Sequence, residues 1–285
     1  MMGASRVGMP NYVTPASRRA VYGLLIVATA ASVMPLLWLM SSSFKTVGEI
    51  FRFPPTFIPE APTARNYELL FQTMPFLAWV GNSASALFIS LLVTIVTCTA
   101  AGYAFAKFRF AGSAALYLTV LATLAIPFAV LLTTLYKQMI DFGFTGTPLA
   151  LAAPFLTPPL GVIIMRQYIV ASVPDEILDA ARIDGASELR IFLLIVTPLV
   201  APGIGSLSVW AFFHVYSQYL WPIVISITTS GFTLPAGVGA LASGFTPAYG
   251  VTLAAAVMTA IPPLLLLFLV RNQVTRGLTT GALKG

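Results

Sequence analysis

Charged residues are scarce in this chain. Only 8% of its 285 residues are Asp, Glu, Lys or Arg, while 58% are hydrophobic and the mean hydropathy is +0.90. A soluble globular domain carries about 25% charged residues, so this composition excludes one. The sequence therefore predicts a polytopic membrane protein.

Histidine and cysteine are nearly absent as well, since the chain has one of each, His214 and Cys98. A single cysteine excludes an intramolecular disulfide, and one histidine with one cysteine cannot build the common metal sites. The chain has no G-x-x-x-x-G-K-[ST] loop, so it carries no phosphate cradle of that kind for ATP. No charged residue lies well inside a predicted span, which disfavours ion-driven transport. If the protein moves a solute uphill, another subunit must supply the energy.

Charge-free intervals mark where the chain can cross a membrane, because a spanning helix needs about 20 apolar residues. Residues 20–44, 69–106, 110–136 and 142–165 hold one span each, and residues 191–270 hold two, near 200–225 and 250–270. The first run is too long for a signal peptide and is predicted to be a retained span. Residues 226–249 are rich in Gly, Ser, Thr and Pro, so we predict a flexible loop that packs against no span.

The predicted fold is therefore all-α, with six spans in residues 20–271, a segment 1–19 before them and a tail 272–285 after them. Eleven basic residues fall on the side of the termini, and four fall on the other. By the positive-inside rule, both termini and the loop between spans four and five should be cytoplasmic. The net charge of +6 then reflects topology, and we do not interpret it as a signal for nucleic acid.

The most informative stretch is residues 172–190, "SVPDEILDAARIDGASELR", which sets a short charged helix between apolar segments. Ser172 is the expected N-cap, so the helix should begin near Val173. Gly185 should end it in the left-handed conformation, and Ser187 should cap the next helix. The acids of the first turns complement the helix dipole: Asp175, Glu176 and Asp179.

This helix of about 11 residues is marginal alone in water, so it should dock against something. Ile177, Leu178 and Ala181 form its apolar stripe, while Ala180, Ala181 and Gly185 leave room for close approach. A partner protein is one interpretation. An ordinary surface helix in a cytoplasmic loop is the other, and the helix signals alone do not decide between them.

Five polar side chains lie within predicted spans, and they are the candidates for a solute pathway: Asn82, His214, Tyr216, Gln218 and Tyr219. They could hydrogen-bond sugar hydroxyls in a wet cavity or bond across helices, and the sequence leaves both open. His214 invites a proton-shuttle interpretation, but the sequence offers it no carboxylate partner.

The motif "DAARIDGA", followed by Phe192, Pro198 and Pro202, resembles the EAA loop of permease subunits in ATP-binding-cassette importers. The resemblance extends along most of the chain. It includes "NYELLF", "GYAFAKFRFAG", "MRQYIVASVP", "YLWPIV" and "RGLTTGALKG". Together these resemble the carbohydrate branch, which includes maltose-type and glycerol-3-phosphate-type importers.

The resemblance implies a type I importer permease of the bacterial cell membrane, without an ATPase site of its own. The helix after Pro174 would be a coupling helix seated in a cytoplasmic ATPase subunit, and the ATPase dimer would bind ATP and Mg. A second permease subunit and an extracytoplasmic solute-binding protein would complete the heteromeric complex. The residues implied in coupling are those of the loop: Glu176, Asp179, Ala180, Ala181, Asp184 and Gly185.

Two departures from the family pattern stand out. Asp179 replaces the usual Glu of the motif, and "HVYSQYLWP" replaces the common Trp-Asn pair before "LWP". The second change falls where solute contacts are plausible, so the solute stays open, with a neutral sugar favoured because no Arg or Lys ring lies in the spans. In similar permeases the last external loop helps to displace solute from the binding protein, and a plain linker is the alternative here.

Two other classes of function compete with an importer subunit. A self-sufficient channel or carrier would work without partners, which uptake by the lone subunit would reveal. A membrane enzyme would need a nucleophile, carboxylate or metal constellation that this sequence lacks.

Overall fold

The computed structural model describes the backbone of residues 15–244 and 248–282 and the side chains of residues 17–244 and 248–271. Within these ranges the chain is helical and contains no strand. In chain order the helices are α1 (Pro15–Ser43), α2 (Val47–Ile50), α3 (Arg65–Thr73), α4 (Phe76–Lys107), α5 (Ser113–Thr123), α6 (Phe128–Asp141), α7 (Pro148–Ala152), α8 (Pro159–Ser172), α9 (Asp175–Ile183), α10 (Glu188–Ile191), α11 (Thr197–Leu199), α12 (Ala201–Tyr216), α13 (Leu220–Ile225), α14 (Leu234–Ser243) and α15 (Tyr249–Ala282).

Three continuous helices are long and apolar enough to cross a membrane, at Ser17–Ser43, Phe76–Lys107 and Tyr249–Arg271. Three bent pairs pass the same test: Ser113–Thr123 with Phe128–Asp141 at 102°, Pro148–Phe155 with Pro159–Ser172 at 54°, and Glu188–Leu199 with Ala201–Tyr216 at 78°. If each bent pair counts as one span, the described chain has six spans, which agrees with the predicted number. The all-α membrane fold is therefore confirmed.

Two of the three bends have identifiable causes. Pro154, Pro158 and Pro159 interrupt the fourth span, and the hydroxyl of Thr94 on α4 donates to the freed carbonyls of Phe155 and Leu156, at 3.0 and 3.1 Å. The fifth span contains a π-helical turn, Phe192–Val196, just before Pro198.

The fifth span lies earlier in the chain than predicted. Its helices end at Tyr216, not near residue 225, because the chain turns at residues 217–219 and starts the separate short helix α13. Gln218 and Tyr219 consequently lie in a turn between helices.

Helix α4 is the centre of the bundle. It packs against α7, α8, α12 and α14, whereas α1 packs mainly against α15 at the periphery. As far as Cys98 its buried residues recur every three or four positions, which is the spacing of one helix face, and two adjacent pairs complete the set: Phe76, Trp79, Ser83, Ala86, Ser90, Thr94, Cys98, Thr99, Gly102 and Tyr103. On this face the hydroxyls of Ser83 and Thr94 form hydrogen bonds with neighbouring backbone.

The prediction that residues 226–249 form a loop packed against no span is wrong. Leu234–Ser243 is a helix, and Leu234 is buried in a cluster with Trp79. The indole of Trp79 donates to the carbonyl of Thr229 at 2.7 Å, and the backbone N–H of Leu234 donates to the Ser83 hydroxyl at 2.8 Å. A Cβ at Gly237 would lie 2.4 Å from the Trp79 ring, so this close approach requires glycine. Composition suggested a loop because small residues serve close packing as well as turns.

Candidate functional site

The candidate site is the segment 172–190, which the fold presents at one end of the bundle. Its helix α9 begins at Asp175, after Pro174 with φ −65° and ψ 143°. The predicted N-cap Ser172 is wrong, because this residue ends the preceding helix α8 and no side chain caps α9. The helix therefore has nine residues instead of about 11. Asp175 and Glu176 supply negative charge to its uncapped first turn.

The other end of α9 matches the prediction. Gly185 has φ +79°, a left-handed conformation that glycine adopts without strain. The N–H of Ala186 donates to the carbonyl of Ala181, and that of Gly185 to the carbonyl of Arg182, both at 3.0 Å. These two bonds form the Schellman arrangement that satisfies the last carbonyls of a helix. The hydroxyl of Ser187 accepts from the N–H of Arg190 and caps α10, as predicted.

Two of the three residues of the predicted apolar stripe of α9 pack within the chain, and Ile177 stays exposed. Leu178 is 1% exposed and Ala181 is buried, both in a cluster with Ile169 and Ile191. This packing against the ends of neighbouring helices explains how so short a helix is stable. The segment is thus a fixed projection of the bundle.

An ion pair joins α9 to the end of α4. The Lys107 Nζ lies 2.6 Å from Asp175 Oδ1, and it also donates to the carbonyl of Val173 at 2.6 Å. The Lys107 side chain is 9% exposed, so this cation is nearly enclosed. The hydrogen bond from Lys107, followed by its charge, lowers the pKa of the Asp175 carboxyl.

A second link runs through Arg182. Its guanidinium donates to Asp179 Oδ1 at 2.9 Å and to Glu188 Oε1 at 2.7 Å. The other oxygen of Glu188 accepts from the Tyr103 hydroxyl of α4 at 3.0 Å. The hydrogen bond from Arg182 lowers the pKa of Glu188, and that bond likewise raises the pKa of Arg182. Asp179, the departure from the usual Glu, is therefore occupied by an intrahelical pair.

The face of α9 that points away from the bundle stays open. Ile183 is 86% exposed and Ile177 is 42% exposed. Five of the six predicted coupling residues are also exposed: Glu176, Asp179, Ala180, Asp184 and Gly185. Only Ala181 of the predicted set is buried. The result is a rigid surface with two exposed isoleucines among acidic side chains.

Sequence reasoning missed Lys107, Tyr103 and Ile183. The first two lie on α4, about 70 residues or more before their partners, and no local pattern predicts such a pairing. Ile183 could have been identified from the sequence, because it is a large apolar residue at the end of a charged helix, next to Asp184.

The predicted solute residues divide into two groups. Asn82 donates its amide to the carbonyls of Ser230 and Phe232, at 2.8 and 3.0 Å, and so holds the chain before α14. Tyr216 is buried and donates to the carbonyl of Thr259 at 2.6 Å. Both side chains have structural partners of the cross-helix kind.

His214, Gln218 and Tyr219 lie close together in sequence at the end of α12. The His214 ring stacks on Trp210 at 4.7 Å between centroids and meets Phe155 edge-on at 5.6 Å. The Gln218 amide donates to the carbonyl of His214 at 2.8 Å, whereas Tyr219 is 43% exposed and packs against Gly239. No group of three or more His, Cys, Asp or Glu side chains among the described residues could hold a metal ion.

Comparison with known proteins gives the site a context. Residues 98–277 match the family model described as the binding-protein-dependent transport system inner membrane component. The arabinooligosaccharides transport system permease protein of Halalkalibacterium halodurans is 33% identical over 89% of this chain and 92% of its own. The lactose transport system permease protein of Rhizobium radiobacter is 28% identical over 98% of both.

The fold is shared with a solved structure. A chain from the crystal structure of a bacterial ABC transporter involved in the import of the acidic polysaccharide alginate superposes with a TM-score of 0.78, and the match covers 93% of this chain and 99% of that chain. The two sequences are 18% identical, so this likeness concerns the fold alone.

Proposed function

The chain belongs to the family of binding-protein-dependent transport system inner membrane components, and from that premise we propose how its parts work. It is a multi-pass membrane permease subunit of an ATP-driven importer, not an enzyme, and the ATPase activity lies in a separate subunit. We propose that α9 is its coupling helix, with Ile177, Ile183 and the acidic residues around them as the surface that seats in a cytoplasmic ATPase subunit.

One observation carries this proposal: α9 is fixed to the bundle by one face and exposes the other. Leu178 and Ala181 are buried in the bundle, and Lys107 of α4 holds Asp175. A force on the exposed face of α9 would therefore be transmitted to α4 and α8, because the connection between them is rigid. We propose that closure of an ATPase dimer, which binds ATP and Mg, moves α9 and thereby reorients the spans. A second permease subunit and a solute-binding protein complete the proposed complex.

The test replaces the most exposed apolar side chain of α9. Ile183→Glu should abolish solute-stimulated ATP hydrolysis and co-purification of the ATPase, because it puts a charge where an apolar contact is proposed, yet the subunit should still insert. Ile183 touches little of its own chain, so a loss of folding is not expected. Ile183→Val is the matched control and should behave like the wild type. Full stimulation in Ile183→Glu would refute the role of this face.

We further propose that α9 and both termini face the cytoplasm, in agreement with the positive-inside rule. Ser187 and Gly244 are both exposed, and under the proposed orientation they would lie on opposite sides of the membrane. In a Cys98→Ala background, Ser187→Cys should react with an impermeant thiol reagent only from inside, and Gly244→Cys only from outside. Reaction of both from the same side would contradict the topology.

The transported solute is proposed to be a sugar or a related polyol. The support is that relatives along the whole chain are transport proteins for arabinooligosaccharides and lactose. His214 and Tyr219 are the pathway residues that we retain from the predicted set, since the side chains of Asn82, Tyr216 and Gln218 bind backbone carbonyls. Competition of unlabelled oligosaccharides against uptake in membrane vesicles would support this class. Competition by amino acids or phosphate esters alone would contradict it.

A further inference from the structure

The connection between α1 and α3, residues 44–64, folds back along α1. The Phe57 ring lies 5.8 Å from the ring of Trp38, and the Ser41 hydroxyl donates to the Phe57 carbonyl. The Lys45 ammonium donates to the carbonyl of Thr56 and lies 4.4 Å from the centroid of the Trp38 ring. Residues 56–58 therefore lie beside the last two turns of the span and not beyond its end.

This connection is a compact unit in which two of the four charged side chains, Lys45 and Glu49, point inward, while Arg52 and Glu60 are exposed and form an ion pair with each other. Lys45 is 1% exposed and Glu49 is buried. The Glu49 carboxylate accepts from the Thr56 hydroxyl at 2.8 Å and from the N–H of Glu60 at 2.9 Å. The N–H of Thr63 donates to the carbonyl of Phe44 at 2.8 Å and closes the unit.

The same unit is anchored to the rest of the bundle. The Asn66 amide donates to the carbonyls of Ser43 and Lys45, at 2.8 and 2.9 Å. The Phe51 ring meets Tyr249, at the start of α15, edge-on at 4.7 Å. The orientation of residues 51–58 relative to both peripheral spans is thus fixed.

Beside the exposed Arg52–Glu60 pair, the outward surface of this unit carries large apolar side chains. Phe53 is 91% exposed and Ile58 is 76% exposed, and Phe51 and Val47 are also exposed. An aqueous loop normally buries its large apolar side chains, whereas this one exposes several of them and buries Lys45 and Glu49. Exposed apolar clusters on a rigid support mark a contact surface.

The depth of this surface follows from α1. Arg18 and Arg19 place the inner boundary of the hydrocarbon near residue 20, since charged side chains avoid it. A helix crosses a core about 30 Å thick in roughly 20 residues, so the outer boundary lies near Met40. An ordinary tilt of about 20° moves it by only one or two residues. Phe57, held between Trp38 and Ser41, therefore lies at the boundary between acyl chains and headgroups.

We propose that residues 51–58 are an interfacial anchor, with Phe53 and Ile58 inserted among the lipid headgroups and first acyl carbons of the leaflet at that end. Aromatic and aliphatic side chains partition favourably to this depth. The internal bonds to Glu49 and Lys45 satisfy polar groups that lipid could not. The anchor fixes the height of α1 and, through Phe51, of α15. This inference goes beyond the proposed function and does not depend on how α9 docks.

The test measures the environment of each side chain in the assembled transporter. Phe53→Cys and Ile58→Cys, in a Cys98→Ala background, are labelled with an environment-sensitive fluorophore, and the complex with its partner subunits is placed in phosphatidylcholine nanodiscs. Both labels should emit at shorter wavelength than a label at Arg65→Cys, resist iodide and be quenched by a lipid with a nitroxide near its headgroup. Val27→Cys, near the middle of α1 and exposed on its surface, is the control for the hydrocarbon core.

Three outcomes would overturn the proposal. Iodide quenching at 53 and 58 equal to that at 65 would place the surface in water. Protection that appears only when the solute-binding protein is added would make it a docking site for that protein. If labelling impairs assembly, Phe53→Trp gives a readout without a label, because brominated phosphatidylcholine should quench it beyond the signal of the four native tryptophans. Equal quenching of Phe53→Trp and the wild type would also reject the anchor.

Discussion

Two segments at opposite ends of α4 are held in place by different chemistry. Residues 172–190 contain seven charged side chains, and α4 holds them through Lys107 and Tyr103, which bind carboxylates. Residues 226–249 contain no charge, and α4 holds them through Trp79 and Asn82, which donate to backbone carbonyls. Because every residue has a backbone carbonyl, docking through carbonyls cannot be predicted from the amino-acid composition of the docked segment.

Trp79 and Lys107, which hold these two segments, lie on one helix, α4, which has no internal proline. Trp79 and Lys107 are 28 positions apart, which corresponds to roughly 42 Å of helix at 1.5 Å per residue. A movement of α9 that displaces Lys107 would displace the far end of α4 as well, because a helix transmits axial displacement. Helix α4 therefore connects the end of the bundle that carries α9 with the end that carries α14.

The largest effect is expected at Trp79, which holds the uncharged segment 226–249 against α4. Trp79→Ala should lower the free energy of unfolding by about 3–5 kcal/mol, because it removes a buried ring packed on Gly237 and leaves the Thr229 carbonyl without its donor. Thermal denaturation of the purified complex measures this. Trp79→Phe keeps most of the ring and should cost about 1 kcal/mol, the share of one hydrogen bond. Equal stability of Trp79→Ala and the wild type would show that the segment 226–249 is not anchored by α4.

The second largest effect is expected at Gly185, in the charged segment 172–190. Gly185→Val forces a β-branched residue to φ +79°, which costs about 1–3 kcal/mol or moves α9 out of its orientation. No atom lies within 4 Å of the added Cβ, so the effect is one of backbone conformation alone. Uptake and solute-stimulated ATP hydrolysis should fall while insertion into the membrane is normal. Gly185→Asn, which tolerates this conformation, should keep most of the activity, and a valine variant with normal transport would contradict the assignment.

The sequence predicted the features that depend on a few adjacent residues. It did not predict those that depend on hydrogen bonds between distant parts of the chain. Gly185 and Ser187 could be predicted because a left-handed turn and an N-cap are properties of a few adjacent residues. Ser172 was misassigned because its preference for caps was outweighed by the continuation of α8. Asn82 was expected to meet solute, yet two loop carbonyls occupy its amide, and no pattern in the sequence identifies an acceptor about 150 positions away.

A smaller effect is expected from the ion pair that joins α9 to α4. Lys107→Met should reduce solute-stimulated ATP hydrolysis less than Gly185→Val does, because Leu178 and the Arg182 link still hold the helix. Lys107→Arg should restore the charge and most of the activity. Protease protection of residues 226–244 should not change in either variant. A loss of that protection would mean that the two ends of α4 are not anchored independently.

The smallest effect is a pH dependence confined to the charged segment. The pKa of Asp175 is lowered mainly by Lys107 and that of Glu188 mainly by Arg182. A carboxyl with a lowered pKa stabilises the fold above its unfolded pKa, about 4, and that contribution is lost as the pH falls through the lower folded value. A spin label at Leu189→Cys should therefore keep its mobility between pH 8 and 5 and become more mobile only below about pH 4. A label at Ser230→Cys should not respond through this mechanism, because residues 226–244 contain no titratable side chain. Increased mobility at Leu189→Cys between pH 8 and 5 would show that these carboxylates are not what holds the segment.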